Sequence, residues 1–93
     1  MAKSINNLLP DKYSSLAFLL DNIKSLSPHL DFEVHPTMVF IFSKIDKGHP
    51  CEEDSLEAME TIPSLISEQG LLFESLCRNT STGDRIDGVR IRI

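Results

Sequence analysis

Five acidic side chains lie within nine residues of the sequence: Glu52, Glu53, Asp54, Glu57 and Glu60. In a helix, Glu53, Glu57 and Glu60 are separated by four and three residues and therefore share one face. Four helical residues rise by roughly 6 Å, close to the spacing of phosphates along a nucleic-acid strand. Such a stripe suits a basic groove on a partner protein, including a groove that normally holds nucleic acid. The alternative is a solvated helix face whose acids complement the helix dipole.

Every arginine of the chain lies in the last 16 residues, as Arg78, Arg85, Arg90 and Arg92. Arg90 and Arg92 share one face of a strand, with Arg78 and Arg85 adjacent across a turn. Guanidinium groups with this spacing can grip phosphates or stack on bases. The net charge of −5 argues against a nucleic-acid partner, because the domain as a whole repels a polyanion. The competing explanation is a strand face paired with acids of a neighbour, or a charged sheet edge.

Cysteine and histidine supply a third hypothesis. Cys51 follows His49 at the predicted start of a helix, where the dipole lowers the pKa of a thiol. The acids that follow raise that pKa again, so a small thiol enzyme ranks behind both binding functions. Cys77 lies inside a predicted strand and is expected in the core. No pair of these residues has zinc-ligand spacing, so we predict no metal site and no cofactor.

Charge is distributed unevenly along the chain. Residues 46–77 carry eight acids and one lysine, whereas residues 78–93 carry four arginines and two aspartates. No apolar run approaches the roughly 20 residues that span a bilayer, and the first residues lack the apolar region of a signal peptide. These features predict a cytoplasmic protein with no membrane association.

Hydrophobic periodicity predicts the elements of the first half. Residues 1–9 read as a flexible lead-in, and Pro10-Asp11 opens a helix that ends at Ser27-Pro28. Alternation predicts a strand over 30–35 with one solvated face. Residues 37–45 are apolar at both odd- and even-numbered positions, so a strand here would bury both of its faces. This pattern predicts a strand at the centre of the sheet.

The second half repeats this order. A loop over 46–50 precedes a helix from Pro50 to Gly70, which Pro63 kinks or splits at Ile62. Residues 71–78 and 85–93 read as strands around a turn over 79–84, and Asp87-Gly88 predicts a bulge or a second turn.

The sequence therefore predicts one α+β domain over residues 1–93, in which helix–strand–strand occurs twice. Its fold is a mainly antiparallel four-stranded sheet with two helices on one face. The predicted function is binding to another protein as an inhibitor, adaptor or immunity-type module, and not catalysis. Small acidic inhibitors of nucleic-acid enzymes, including those of phage–host conflict, share this general character. The last strand is a candidate sheet edge, which predicts a homodimer through strand pairing.

Overall fold

The structure is a computed structural model that describes residues 14–92. The lead-in over 1–9 and the predicted helix start at Pro10-Asp11 lie outside the described residues. In chain order the elements are α1 (Ser14–Asp21), α2 (Ile23–Leu26), β1 (Leu30–Val34), β2 (Met38–Ser43), α3 (Glu52–Met59), α4 (Ile62–Glu68), β3 (Phe73–Thr80) and β4 (Gly83–Arg92).

The four helical segments form two helical units, each interrupted once. Between α1 and α2, the Asn22 side chain donates a hydrogen bond to the Phe18 carbonyl at 2.8 Å. Between α3 and α4, Pro63 has no N–H to donate to the carbonyl four residues earlier, and the helix is split as predicted. Gly70 has a φ of 70° and ends α4, also as predicted.

The strands form one antiparallel sheet in the order β1-β2-β4-β3. Two hairpins meet through β2 and β4, with Val39 opposite Ile91 and Ile41 opposite Val89. This order is the one expected of two helix–hairpin units related by a pseudo-twofold axis. The prediction that the last strand is a sheet edge is wrong, because β4 pairs with β2 on one side and β3 on the other. The edges are β1 and β3.

A single core joins both helical units to one face of the sheet. Its fully buried residues include Leu16, Leu20 and Ile23 from the first unit and Met59, Ile62 and Ile66 from the second, packed against Leu30, Val39, Ile41, Val89 and Ile91. Strand residues of the other parity point to the opposite face. The α+β class and the four-stranded antiparallel sheet with two helices on one face are confirmed.

The β3–β4 hairpin differs from the prediction in the length of its turn. Both strands extend into the predicted turn, leaving Ser81-Thr82 as a two-residue connection before Gly83, whose φ is 106°. The predicted bulge is present: Leu76 pairs with Gly88 and Cys77 with Ile86, so Asp87 has no partner across the ladder.

Candidate functional site

Two competing candidate sites of the sequence, the acids of α3 and the arginines of the β3–β4 hairpin, contact each other through Arg78 and Arg85. The Arg78 guanidinium donates to Glu52 Oε2 at 3.1 Å and to Asp87 Oδ2 at 3.1 Å. It also donates to the Ile45 carbonyl at 2.7 Å, in the loop between β2 and α3. The side chains of Arg78 and Glu52 are only 17% and 15% exposed. Arg78 therefore ties three segments together in a poorly solvated position.

Arg85 holds the outer acids of the same helix. Its Nη1 donates to both carboxylate oxygens of Glu53 at 2.9 Å, and its Nε donates to Glu60 Oε2 at 2.6 Å. The Arg85 side chain is largely buried, whereas those of Glu53 and Glu60 remain substantially exposed. One guanidinium thus fixes two carboxylates that still face solvent.

The hairpin places both arginines at the same level. Arg78 and Arg85 are directly opposite each other in the β3–β4 ladder, so their side chains leave the same side of the hairpin. β2 pairs with β4 only as far as Gly88. The hairpin beyond the bulge is therefore free of β2, and its two arginines reach α3.

The acids of this surface outnumber its cations. Asp54 and Glu57 are exposed and have no ion pair within residues 14–92. Together with Glu52, Glu53, Glu60 and Asp87 they make six carboxylates around Arg78 and Arg85. We call these eight residues the acidic surface; with every group ionised, its formal charge is −4.

Hydrogen bonds lower the pKa of two of these carboxylates, Glu52 and Glu60. The pKa of Glu52 falls below its ordinary value because of the Gly48 backbone N–H first and Arg78 second. The pKa of Glu60 falls because Arg85 donates to it. The pKa of Arg85 is raised by Glu60 and Glu53, and that of Arg78 is raised by Glu52 and Asp87 against the opposing effect of burial. Both arginines stay charged throughout acid titration.

Acid is therefore expected to weaken this network. A carboxyl whose pKa is lower in the folded state stabilises the fold above its unfolded pKa, here near 4.5, and this stabilisation is lost as pH falls through the folded pKa. Thermal unfolding followed by circular dichroism from about pH 6 to about pH 2 measures the effect. The double variant Glu52→Gln/Glu60→Gln should show a shallower decline than wild type, and equal slopes would contradict the network's role.

The remaining two arginines lie apart from this surface, at the other end of β4. Arg90 is opposite Glu74 in the ladder and forms an ion pair with it. Arg92 is opposite Met38 on β2 and is exposed. The four arginines of the sequence therefore form two separate pairs rather than one patch.

The thiols occupy different environments from those expected. Cys51 is half-buried in the turn before α3, and its backbone N–H donates to His49 Nδ1 at 2.9 Å. Cys77 is exposed, so its predicted place in the core is wrong. It lies on edge strand β3, where Ser75 and Asn79 of the same parity are exposed as well. Across residues 14–92, no three His, Cys, Asp or Glu side chains gather as a metal-binding group.

Sequence reasoning missed two contacts that position the acidic surface. Asp87 was identified as part of a bulge and as a negative charge near the arginines, but not as a partner of Arg78, which it shares with Glu52. Ser55 is fully buried, accepts a hydrogen bond from the Ser43 hydroxyl at 2.8 Å and donates to the Glu52 carbonyl. The signal for Ser55 was its position four residues before Met59, on the apolar side of the helix.

Comparison with known proteins adds no relative. No protein-family model matches the chain, and neither the curated proteins nor the solved structures gave a significant match. Between residues 14 and 92, the helices are all too short or too polar to cross a membrane.

Proposed function

We propose that this chain is a small acidic protein-binding module, acting as an inhibitor, adaptor or immunity-type protein. In this proposal the acidic surface docks on a basic groove of another protein, of the kind that holds nucleic acid. The module works inside the cell and performs no catalysis.

The observation that carries the proposal is the arrangement of carboxylates around Arg78 and Arg85. Two largely buried guanidinium groups hold four carboxylates in place and leave the surface with excess negative charge. Acids fixed before binding lose less conformational freedom when a partner arrives. A surface of one sign also speeds association with an oppositely charged groove.

The same contacts favour this function over nucleic-acid binding. Arg78, Arg85 and Arg90 each form ion pairs with acids of their own chain. A phosphate backbone would have to compete with those carboxylates and would meet the excess negative charge beside two of the arginines. The nucleic-acid alternative therefore rests mainly on Arg92.

The homodimer through a sheet edge remains a prediction, but the strand that pairs across it would be β1 or β3 rather than the last strand. The edges are β1 and β3, and exposed side chains alternate along the outer half of β3. Sedimentation of the purified chain over a range of concentrations tests self-association.

Affinity capture from a lysate of the source cells, with and without nuclease treatment and at low and high salt, tests the proposal. We expect one basic protein to be retained at low salt and released at high salt, because exposed charge pairs are screened. The variant Arg90→Gln/Arg92→Gln serves as a second bait and should retain the same protein. Material that is nucleic acid and is lost on nuclease digestion would overturn the proposal in favour of the arginine alternative.

A further inference from the structure

A cavity lies on the sheet face opposite the helices, at the end of the sheet where β2 and β3 begin and β4 ends. Its volume is about 530 Å³, and Met38, Leu72, Glu74, Arg90 and Arg92 are among its lining residues. Ligand sites for small molecules usually measure about 300–1,000 Å³. This cavity is distant in the fold from the acidic surface, which lies at the other end of β4.

The charges of the cavity do not balance. Arg90 and Arg92 are two residues apart on one strand face, and Glu74 pairs with Arg90 through Nη2. Arg92 forms no ion pair with any residue of the described range 14–92. The Nε donor of Arg90 is buried and has no hydrogen-bond partner within the described residues, so the exposed Arg92 is the cation that a ligand can reach. Two cations against one carboxylate leave one positive charge, which suits a monoanion.

Part of the cavity lining is apolar and consists of Met38, Leu72 and Phe73. Leu72 is 74% exposed, so a ligand in the cavity can contact its apolar side chain. Met38 is half-buried beside it, and the same sheet face continues with Phe40 and Phe42, whose rings stack with centroids 5.1 Å apart. Apolar surface therefore adjoins the unpaired guanidinium.

We propose that this cavity binds a small amphipathic monoanion, a single carboxylate on an apolar body of several carbons. The carboxylate lies against Arg92, whose planar guanidinium matches its two oxygens. The apolar body covers Leu72 and Met38 and extends toward Phe40. This site is independent of the acidic surface and of its protein partner.

Titration of the ¹⁵N-labelled full chain with octanoate, and separately with 1-octanol, tests the site. We expect octanoate to shift the amide signals of residues 37–38, 72–74 and 90–92, and 1-octanol to bind at least about ten-fold more weakly, since it lacks the charge-assisted hydrogen bonds. Arg92→Gln and Leu72→Ser should each weaken octanoate by about ten-fold or more. Both side chains are exposed, so neither variant should impair folding.

The matched control is Lys44→Gln, which removes one exposed cation just beyond the opposite end of β2. It should leave octanoate affinity unchanged. Equal affinity for octanoate and 1-octanol would overturn the proposal, as would equal losses from Arg92→Gln and Lys44→Gln. So would octanoate shifts confined to the exposed Phe18 and Leu26 region of the first helical unit, or a dissociation constant weaker than about 1 mM.

Discussion

Replacing Arg78 with methionine is expected to lower the free energy of unfolding by about 2–3 kcal/mol, because three acceptors lose their donor at once. Glu52 and Asp87 would remain charged in a position where water reaches them poorly, and the Ile45 carbonyl would lose its 2.7 Å hydrogen bond. Methionine keeps much of the arginine stem's apolar volume, so the loss reports on the guanidinium rather than on packing. Urea unfolding followed by circular dichroism measures the change.

The control for this variant is Arg92→Met, which removes an arginine from the same hairpin at an exposed position. We expect it to change stability by less than about 0.5 kcal/mol. Arg78→Lys should fall between wild type and Arg78→Met, since an ammonium group supplies the charge but not the planar fork of donors. If Arg78→Met is as stable as Arg92→Met, the guanidinium does not hold the acidic surface together.

The second large effect is expected at Asp54 and Glu57, the two acids of the acidic surface that form no ion pair within residues 14–92. The double variant Asp54→Lys/Glu57→Lys should weaken binding to the captured partner by about 100-fold or more, since two attractive contacts become repulsive. Both side chains are exposed, so the midpoint of thermal unfolding should change little. Calorimetric titration of the purified partner measures the affinity.

A matched double variant separates the surface from total charge. Asp21→Lys/Glu68→Lys also reverses two exposed acids, one on α1 and one on α4, and changes the net charge by the same amount. It should lower affinity far less than the α3 variant. Equal losses would mean that the partner responds to overall charge and not to the acidic surface.

Local patterns were sufficient to predict most of the fold. The apolar run of β2 predicted a central strand, and Pro63 and Gly70 marked the break and the end of the second helical unit. The bulge at Asp87 followed from the weak strand propensity of Asp and Gly. Each of these features depends on backbone chemistry within a few residues, which the sequence displays directly.

Sheet order was not visible in the same way. The alternation of Val89 and Ile91 with Arg90 and Arg92 is typical of a strand with one solvated face, and that pattern fits an edge or an interior strand equally well. The order β1-β2-β4-β3 is set by how the two hairpins pack, so the interior position of β4 escaped prediction. The same applies to Cys77, which lies in edge strand β3 at a position that the helices leave exposed.

The candidate site was half predicted. The acids of residues 52–60 and the arginines of residues 78–92 were identified as separate alternatives, although their opposite charges in adjacent segments were a signal that they meet. What the sequence lacked was the geometry: only the hairpin beyond the bulge brings Arg78 and Arg85 to α3. Arg90 and Arg92 have the same chemistry but lie at the other end of the strand.

The most direct test of the proposed function is hydrogen–deuterium exchange of the chain with and without its captured partner. Our account predicts added protection in α3, in the preceding loop over 46–51 and in the hairpin over 77–86, with little change at residues 72–74 and 90–92. Protection confined to residues 72–74 and 90–92, with α3 unchanged, would contradict the claim that the acidic surface is the binding site.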